Sequence, residues 1–250
     1  MRNFLIGTLT ATLYLQGQTP DVPRFEAASL KIAEGSFPGW RSSSSPGQRT
    51  YTSIPLKEGL KIAFSLHDYS LTGPSWLDSV HLDIVAKAPS ASDAKQLNAM
   101  LQTLLVERFK IESHWEKRTV DGYELVPSKN GMPRSVFDKR DVNRAGSRSS
   151  GSGVLQAFGV TTAQLSDMLA SDLRAPVQDR TGIAELFDAV LQYQPLDARP
   201  DTPGGPAAAD DPRPSIFTAL KERLGLMLNK AKVPIDVLVI DKANRTPAEN

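Results

Sequence analysis

The chain has no cysteine in its 250 residues. Disulfides, thiolate zinc sites and a cysteine nucleophile are therefore excluded. Histidine is almost as scarce, with His67, His81 and His114 as the three in the chain. No two have the i, i+4 spacing of a helical metal pair, and no Asp or Glu completes a known ligand pattern around them. No metal and no cofactor is expected. An excess of one charge is missing too: 29 Lys and Arg stand against 28 Asp and Glu, for a net charge of +1. Nucleic acid and anionic membrane surfaces are met by a concentrated positive field, so no nucleic-acid partner is expected. The basic residues Lys139, Arg140, Arg144 and Arg148 sit in Ser/Gly-rich sequence and read as a solvated loop. The chain also lacks a Gly-x-Ser-x-Gly elbow, a phosphate loop and a dinucleotide fingerprint.

What is present begins with Met1-Arg-Asn-Phe-Leu-Ile-Gly-Thr-Leu-Thr-Ala-Thr-Leu-Tyr-Leu15. A basic residue precedes an apolar run too short for a membrane span, and Gly17 offers a small residue for cleavage. Leu15 stands where an alanine would make the site regular. Residues 1–17 are read as a signal peptide, which places the protein in the periplasm or outside the cell, with no transmembrane segment in the mature chain. Arg2 is the sole charged residue of that segment, so its removal takes the net charge from +1 to +1 − 1 = 0. The remainder, 40% hydrophobic and 23% charged over the whole chain, suits one large domain or two small ones.

The pattern of elements centres on Pro176-Val-Gln-Asp-Arg-Thr-Gly-Ile-Ala-Glu-Leu-Phe-Asp-Ala-Val190, read as strand, tight turn, strand after a helix starting near Thr161. A similar outline recurs. A strand over Phe25–Ile32 is followed by a Ser-rich surface loop, Gly35–Gln48. A first unit begins at Thr52, with Pro55 in the first helical turn and Leu56, Leu60, Ala63 and Phe64 on one face. Strands at Tyr69–Pro74 and His81–Ala88 complete it. A second helix is capped by Ser92 or Asp93, with Gln96 closing a capping box, and carries Leu97, Met100, Leu101, Leu104, Leu105 and Phe109. Its strands are Phe109–Trp115 and Tyr123–Val126, separated by the turn signal Asp121-Gly122. The third unit has Thr161 and Gln164 as its box. The fourth has Phe217, Leu220 and Leu224 on one face, Gly225 as its stop, then strands at Leu226–Asn229 and Val233–Asp241. The last strand is apolar on both faces and is expected in the middle of a sheet. Glu107-Arg-Phe-Lys-Ile111 parallels Glu222-Arg-Leu-Gly-Leu226, and Leu82-Asp-Ile-Val85 parallels Phe187-Asp-Ala-Val190.

These observations predict an α+β fold, mainly antiparallel sheet with packed helices, built from repeated helix-strand-strand units in two related halves. The expected divisions are a first half at 22–129 with its N-terminal strand, a flexible connection at 130–153 with a brief strand near Val136-Phe137, and a second half at 154–250. The second half carries a disordered insertion at 197–214, rich in Pro, Ala, Asp and Gly.

Several stretches in combination resemble a known family. They are Phe25-Glu-Ala-Ala-Ser-Leu-Lys31, Gly73-Pro-Ser-Trp-Leu-Asp78, Asp83-Ile-Val-Ala-Lys-Ala-Pro89, Leu101-Gln-Thr-Leu-Leu-Val-Glu-Arg-Phe-Lys110, Pro176-Val-Gln-Asp-Arg-Thr-Gly182, Val237-Leu-Val-Ile-Asp241 and Pro247-Ala-Glu-Asn250. Together they resemble a soil-associated, Solibacter-type family of unknown function abundant in Acidobacteria, and the resemblance covers nearly all of the chain after the signal segment. It implies an exported protein and an envelope-protein partner; some members carry the domain behind a membrane-bound, peptidase-like sensor. It supplies no catalytic residues. The chain departs from the family at Ala184-Glu185, where a Gly-containing turn is usual, and at Ala189, where a larger apolar residue is usual.

The candidate ligand-binding residues are Asp179, Arg180, Trp76 and Trp40. Asp179-Arg180-Thr181-Gly182 offers a carboxylate and a guanidinium on a turn, though Asp, Thr and Gly are also the residues a turn itself requires. Trp76 and Trp115 are potential aromatic surfaces that more often cover the edge of a core, and Trp40 beside the Ser-rich loop is the best exposed contact. Ser92 and Lys95 match Ser-x-x-Lys without its partner motifs, so a helix cap explains them. The expected function is an extracytoplasmic, non-enzymatic binding or interaction module. The alternatives are an exported hydrolase assembled around Asp179, Asp188 and a histidine, and a ligand-sensing regulatory domain.

Overall fold

Two long antiparallel strands, Glu112–Pro127 and Leu226–Lys242, run side by side for almost their whole length and join two separate hydrophobic cores. The computed structural model describes residues 22–35, 39–45, 47–89, 92–138, 141–195 and 212–248. The expected signal peptide at 1–17 and residues 197–211 of the expected insertion lie outside the described residues, as do Lys139 and Arg140.

In chain order, β1 (Ala27–Ile32), β2 (Arg41–Ser45) and β3 (Gln48–Pro55) lead into α1 (Leu56–Phe64). Short 3-10 turns precede β4 (Leu71–Thr72) and β5 (His81–Lys87), and α2 (Ala94–Phe109) runs into β6 (Glu112–Pro127). The second half contains the helical turn α3 (Ser135–Asp138), β7 (Arg148–Gly151), β8 (Val154–Val160), α4 (Thr162–Leu173), β9 (Val177–Asp179) and β10 (Phe187–Gln192). It ends with α5 (Ile216–Ala219), continued as a π-helical turn to Leu224, and β11 (Leu226–Lys242).

The fold is α+β with mainly antiparallel pairing, in sheets ordered β1-β5-β3-β2, β10-β8-β7 and β4-β11-β6-β9. The exceptions are β4 and β9, which pair parallel to β11 and β6 respectively. Each short strand therefore docks on the long strand that begins in the other half. The first core is built on Ile54, Leu56, Leu60, Leu82, Ile84, Leu105 and Phe109 and takes in Leu238 and Ile240 from the far end of β11. The second is built on Leu155, Val160, Leu165, Leu169 and Phe187 and takes in Leu125 from the far end of β6.

The helix starts follow from local chemistry. Asp93 accepts from the Gln96 amide at 2.8 Å while the Gln96 side chain accepts from the Asp93 amide at 2.9 Å. Thr161 and Gln164 repeat the arrangement at the head of α4. Each reciprocal pair satisfies two of the backbone donors a helix start leaves free.

Several expectations are corrected. Units two and four hold one long strand each where two were expected: Asp121-Gly122 lies inside β6 instead of in a turn, and Leu226 to Asp241 is continuous. The two strands of Pro176–Val190 are not a hairpin, since β9 joins the long ribbon and β10 joins β8. Tyr69 lies in a 3-10 turn, so the strand expected from it shrinks to Leu71–Thr72. The Ser-rich loop contains β2, an exposed edge strand on β3. Val136-Phe137 is helical, and the described part of 130–153 is further shaped by a 3-10 turn and by β7. Phe217 is 36% exposed and packs on Tyr123; Ile216 and Ala219 take the buried face with Leu220 and Leu224. β11 does occupy the middle of its sheet, with Val237, Leu238 and Ile240 buried.

Candidate functional site

The apolar stripe of α4, Leu165, Met168 and Leu169, goes to the second core. That leaves a second face, Ala163, Ser166, Asp167 and Ala170, at i, i+3, i+4 and i+7, which a helix gathers into one row. This row forms one wall of a cleft of about 430 Å³ between the two halves. The opposite wall is the turn after α1, with His67, Tyr69 and Ser70, and the floor is Pro176–Asp179 of the β9 segment and Val233–Asp236 of β11.

His67 holds the walls together. Its Nε2 lies 2.9 Å from Asp167 Oδ1, and its Nδ1 lies 3.5 Å from Ser171 Oγ. Tyr69 stacks on the imidazole, with ring centroids 5.2 Å apart. Burial, aided by the nearby Asp167 charge, pushes the Tyr69 hydroxyl up to about 12, so it stays protonated as a donor at neutral pH. Histidine, serine and aspartate together raise the question of a nucleophile. Yet Ser171 Oγ already donates to the Asp167 carbonyl at 3.2 Å, and both partners of the ring come from adjacent turns of one helix. The ring is held through Nε2 by Asp167, with Ser171 Oγ near Nδ1, and works as a brace between halves.

Ser166 is 3% exposed, and its hydroxyl has no hydrogen-bond partner among the described residues. Leaving a buried hydroxyl unpaired costs about 1–3 kcal/mol, and buried polar groups are almost always satisfied. Asp236 and Gln178 also line the cleft, and neither side chain has a hydrogen bond or ion pair among the described residues.

Of the four expected site residues only Asp179 reaches this cleft. It accepts from the Thr162 hydroxyl at 2.6 Å and from the Thr181 amide and hydroxyl at 2.9 and 2.7 Å. Partial burial would raise its carboxyl, but these three hydrogen bonds outweigh that and hold it below the usual carboxylate range. Gly182 takes the left-handed φ of +68° that closes this turn. Arg180 is exposed outside the cleft, its Nε 3.5 Å from Glu124 Oε1. Trp76 is half-buried on the first core, with the Arg245 guanidinium 5.7 Å from its ring. Trp40 is 38% exposed and leans on Tyr51, while Trp115 is the more exposed indole at 53%.

Of the carboxylates and histidines of the hydrolase alternative, Asp179 and His67 line the same cleft, whereas Asp188, His81 and His114 are not among its lining residues. Asp188 accepts the Gly159 amide at 2.7 Å and the Asp141 amide at 2.5 Å, so both its oxygens hold loop backbone. His81 contacts the Ser79 carbonyl at 3.3 Å. His114 lies on the ribbon, 2.8 Å from Asp241 and 3.6 Å from Glu116. The Asp241 hydrogen bond is the main reason the His114 imidazole sits above its ordinary value of 6.5. A raised folded-state value means that the link stabilises the ribbon below the unfolded value and is lost as pH rises through the folded one. In an NMR titration the His114 ring protons should turn over above 6.5, and Asp241→Asn should lower the midpoint; an unmoved midpoint would show that the pair does not form.

No motif in the sequence marks Ser166, Asp167, Gln178 or Asp236, and His67 has no metal-ligand spacing around it. The available signal was the small and polar row on α4 beside its apolar stripe.

Fold and cleft together define a two-core α+β protein whose cleft is lined by polar side chains, Ser166, Gln178 and Asp236, with no hydrogen-bond partner among the described residues. Residues 57–243 match the family described as "Protein of unknown function (DUF3738)", and the chain belongs to that family. No curated protein and no solved structure matches it. No helix among the described residues is long and apolar enough to cross a membrane.

Proposed function

We propose that the protein is an exported, non-enzymatic binding module that seats a ligand in the cleft between its halves. The unpaired Ser166 hydroxyl carries this reading, because it is buried on the row of α4 that lines the cleft and an orphaned polar group is explained by a partner it meets on binding. Export is supported by the basic and apolar pattern of Met1–Leu15. An acidobacterial source and an envelope-protein partner are supported by the sequence resemblance alone. The hydrolase reading is the weaker one, since Asp179, Asp188, His81 and His114 are each engaged in structural bonds and the last three are not among the residues lining the cleft.

The test is native and intact mass spectrometry on tagged full-length protein purified from its own cells, beside Ala163→Phe. Ala163 is exposed and lines the cleft, so the phenyl ring fills the space with little effect on folding. The expected result is a mature chain starting near Gln18 that carries a non-covalent adduct, with the adduct lost in the variant. An adduct kept by Ala163→Phe would place binding elsewhere, and retention of Met1 would remove the export premise.

A further inference from the structure

We infer that the cleft's ligand presents a primary ammonium group beside a hydrogen-bonding group; this rests on the reading of the cleft as a binding site. The ionisable side chains lining it are His67, Tyr69, Asp167, Asp179 and Asp236, with no lysine or arginine among the lining residues. Their roles differ. Asp179 is saturated by Thr162 and Thr181, and Asp167 gives one oxygen to His67. Asp236 remains as a carboxylate with no ionic partner among the described residues. Lys117 faces it in register across the ribbon but makes no ion pair with it. Asp236 is exposed where it lines the cleft, and a carboxylate that the protein leaves without a cation there favours a cationic group.

The neighbouring surface suits the same group. The Tyr69 and His67 rings stack on each other as one wall, and aromatic faces attract ammonium. Ser166 Oγ, buried on the α4 wall, can accept from an ammonium, but its own proton needs an acceptor that an alkylammonium lacks. A hydroxyl or amide next to the ammonium supplies it. Ala163, Ala170, Val177 and Val233 leave apolar walls for a short carbon frame. The volume of about 430 Å³ lies at the lower end of small-molecule sites. An amino sugar, with a hydroxyl vicinal to its ammonium, meets both requirements; a peptide lysine side chain meets the first alone. They share the ammonium, and the assay separates them.

The experiment is isothermal titration of the full chain with glucosamine and with Nα-acetyl-lysine N-methylamide, set against N-acetylglucosamine and hexanoate. The expected result is saturable binding of at least one ammonium probe, weakened by added salt and abolished by Ala163→Phe. Asp236→Asn should reduce affinity about tenfold, the loss of one charge-assisted contact. Ser166→Ala is the variant that a purely structural role would not mimic: it should raise Tm, because an orphaned buried hydroxyl is removed, while weakening the same probe. The two ammonium probes report which source the site prefers. If N-acetylglucosamine or hexanoate binds as well as the ammonium probes, and Ala163→Phe blocks it, the cleft is a binding site and the ammonium assignment falls. If no probe binds and the native adduct survives Ala163→Phe, both fall. An unchanged affinity in Asp236→Asn overturns the assignment by itself.

Discussion

Phe109→Ala is expected to destabilise the protein by about 3–5 kcal/mol, the usual cost of emptying a phenylalanine site in a packed core. Phe109 is fully buried at the last position of α2, among the largest side chains of the first core. Its carbonyl also accepts the Asn244 amide at 2.7 Å, so the residue ties the helix end to the chain beyond β11. The other members of this core, Leu105, Ile84 and Leu238 among them, are strand and helix residues held in regular structure, which limits relaxation. For a chain of this size the loss corresponds to a fall in Tm on the order of 10 °C. The effect should also reach the second core. β11 contributes Leu238 and Ile240 to the first core and Leu226 to the second, and β6 pairs with it almost end to end. Urea denaturation followed by circular dichroism should therefore show one transition at a lower midpoint. Two separated transitions would mean that the ribbon does not couple the cores, and a shift below about 1 kcal/mol would contradict the burial of the ring.

Local chemistry was legible in the sequence, and long-range pairing was not. The capping boxes at Asp93-Gln96 and Thr161-Gln164 were read from four residues each, because the bonds they make span three positions. The apolar rows of α1 and α2 were legible for the same reason. The long strands were misread because their periodicity is interrupted. In β6 the buried Leu125 and the exposed Trp115 belong to ends packed in different surroundings, so no single alternation runs through sixteen residues. Partner choice was invisible as well. The stretch 176–190 looks like a hairpin, but β9 finds β6 and β10 finds β8, decisions made by residues fifty or more positions apart for β9. The cleft was partly legible through Asp179. Its other side comes from His67 and Tyr69, a hundred residues away from Asp167 and visible only once the halves are assembled.

Gly122→Ala should cost roughly 1–3 kcal/mol, the range for forcing extra atoms into a filled space, and should damage the cleft with it. The dipeptide Asp121-Gly122 is a common turn signal, yet here the glycine lies in a continuous strand. Its absent side chain explains the residue. A Cβ at this position would stand 2.5 Å from the Pro176 carbonyl oxygen, 2.8 Å from Pro176 Cγ and 3.0 Å from Val233 Cγ2. The first of these is backbone, and it accepts the Tyr123 amide at 2.9 Å, so it cannot turn aside without loosening the β6–β9 pairing. Pro176 and Val233 both line the cleft. A methyl group at 122 therefore pushes two floor residues outward and disturbs the segment that carries Gln178 and Asp179. Stability and ligand retention should fall together in Gly122→Ala, whereas Ala163→Phe should lose the ligand at nearly unchanged stability. Denaturation curves and native mass spectra on the two variants give the comparison. A Gly122→Ala protein as stable as the parent would show that β9 does not pass this close to β6, and the floor of the cleft would have to be redrawn.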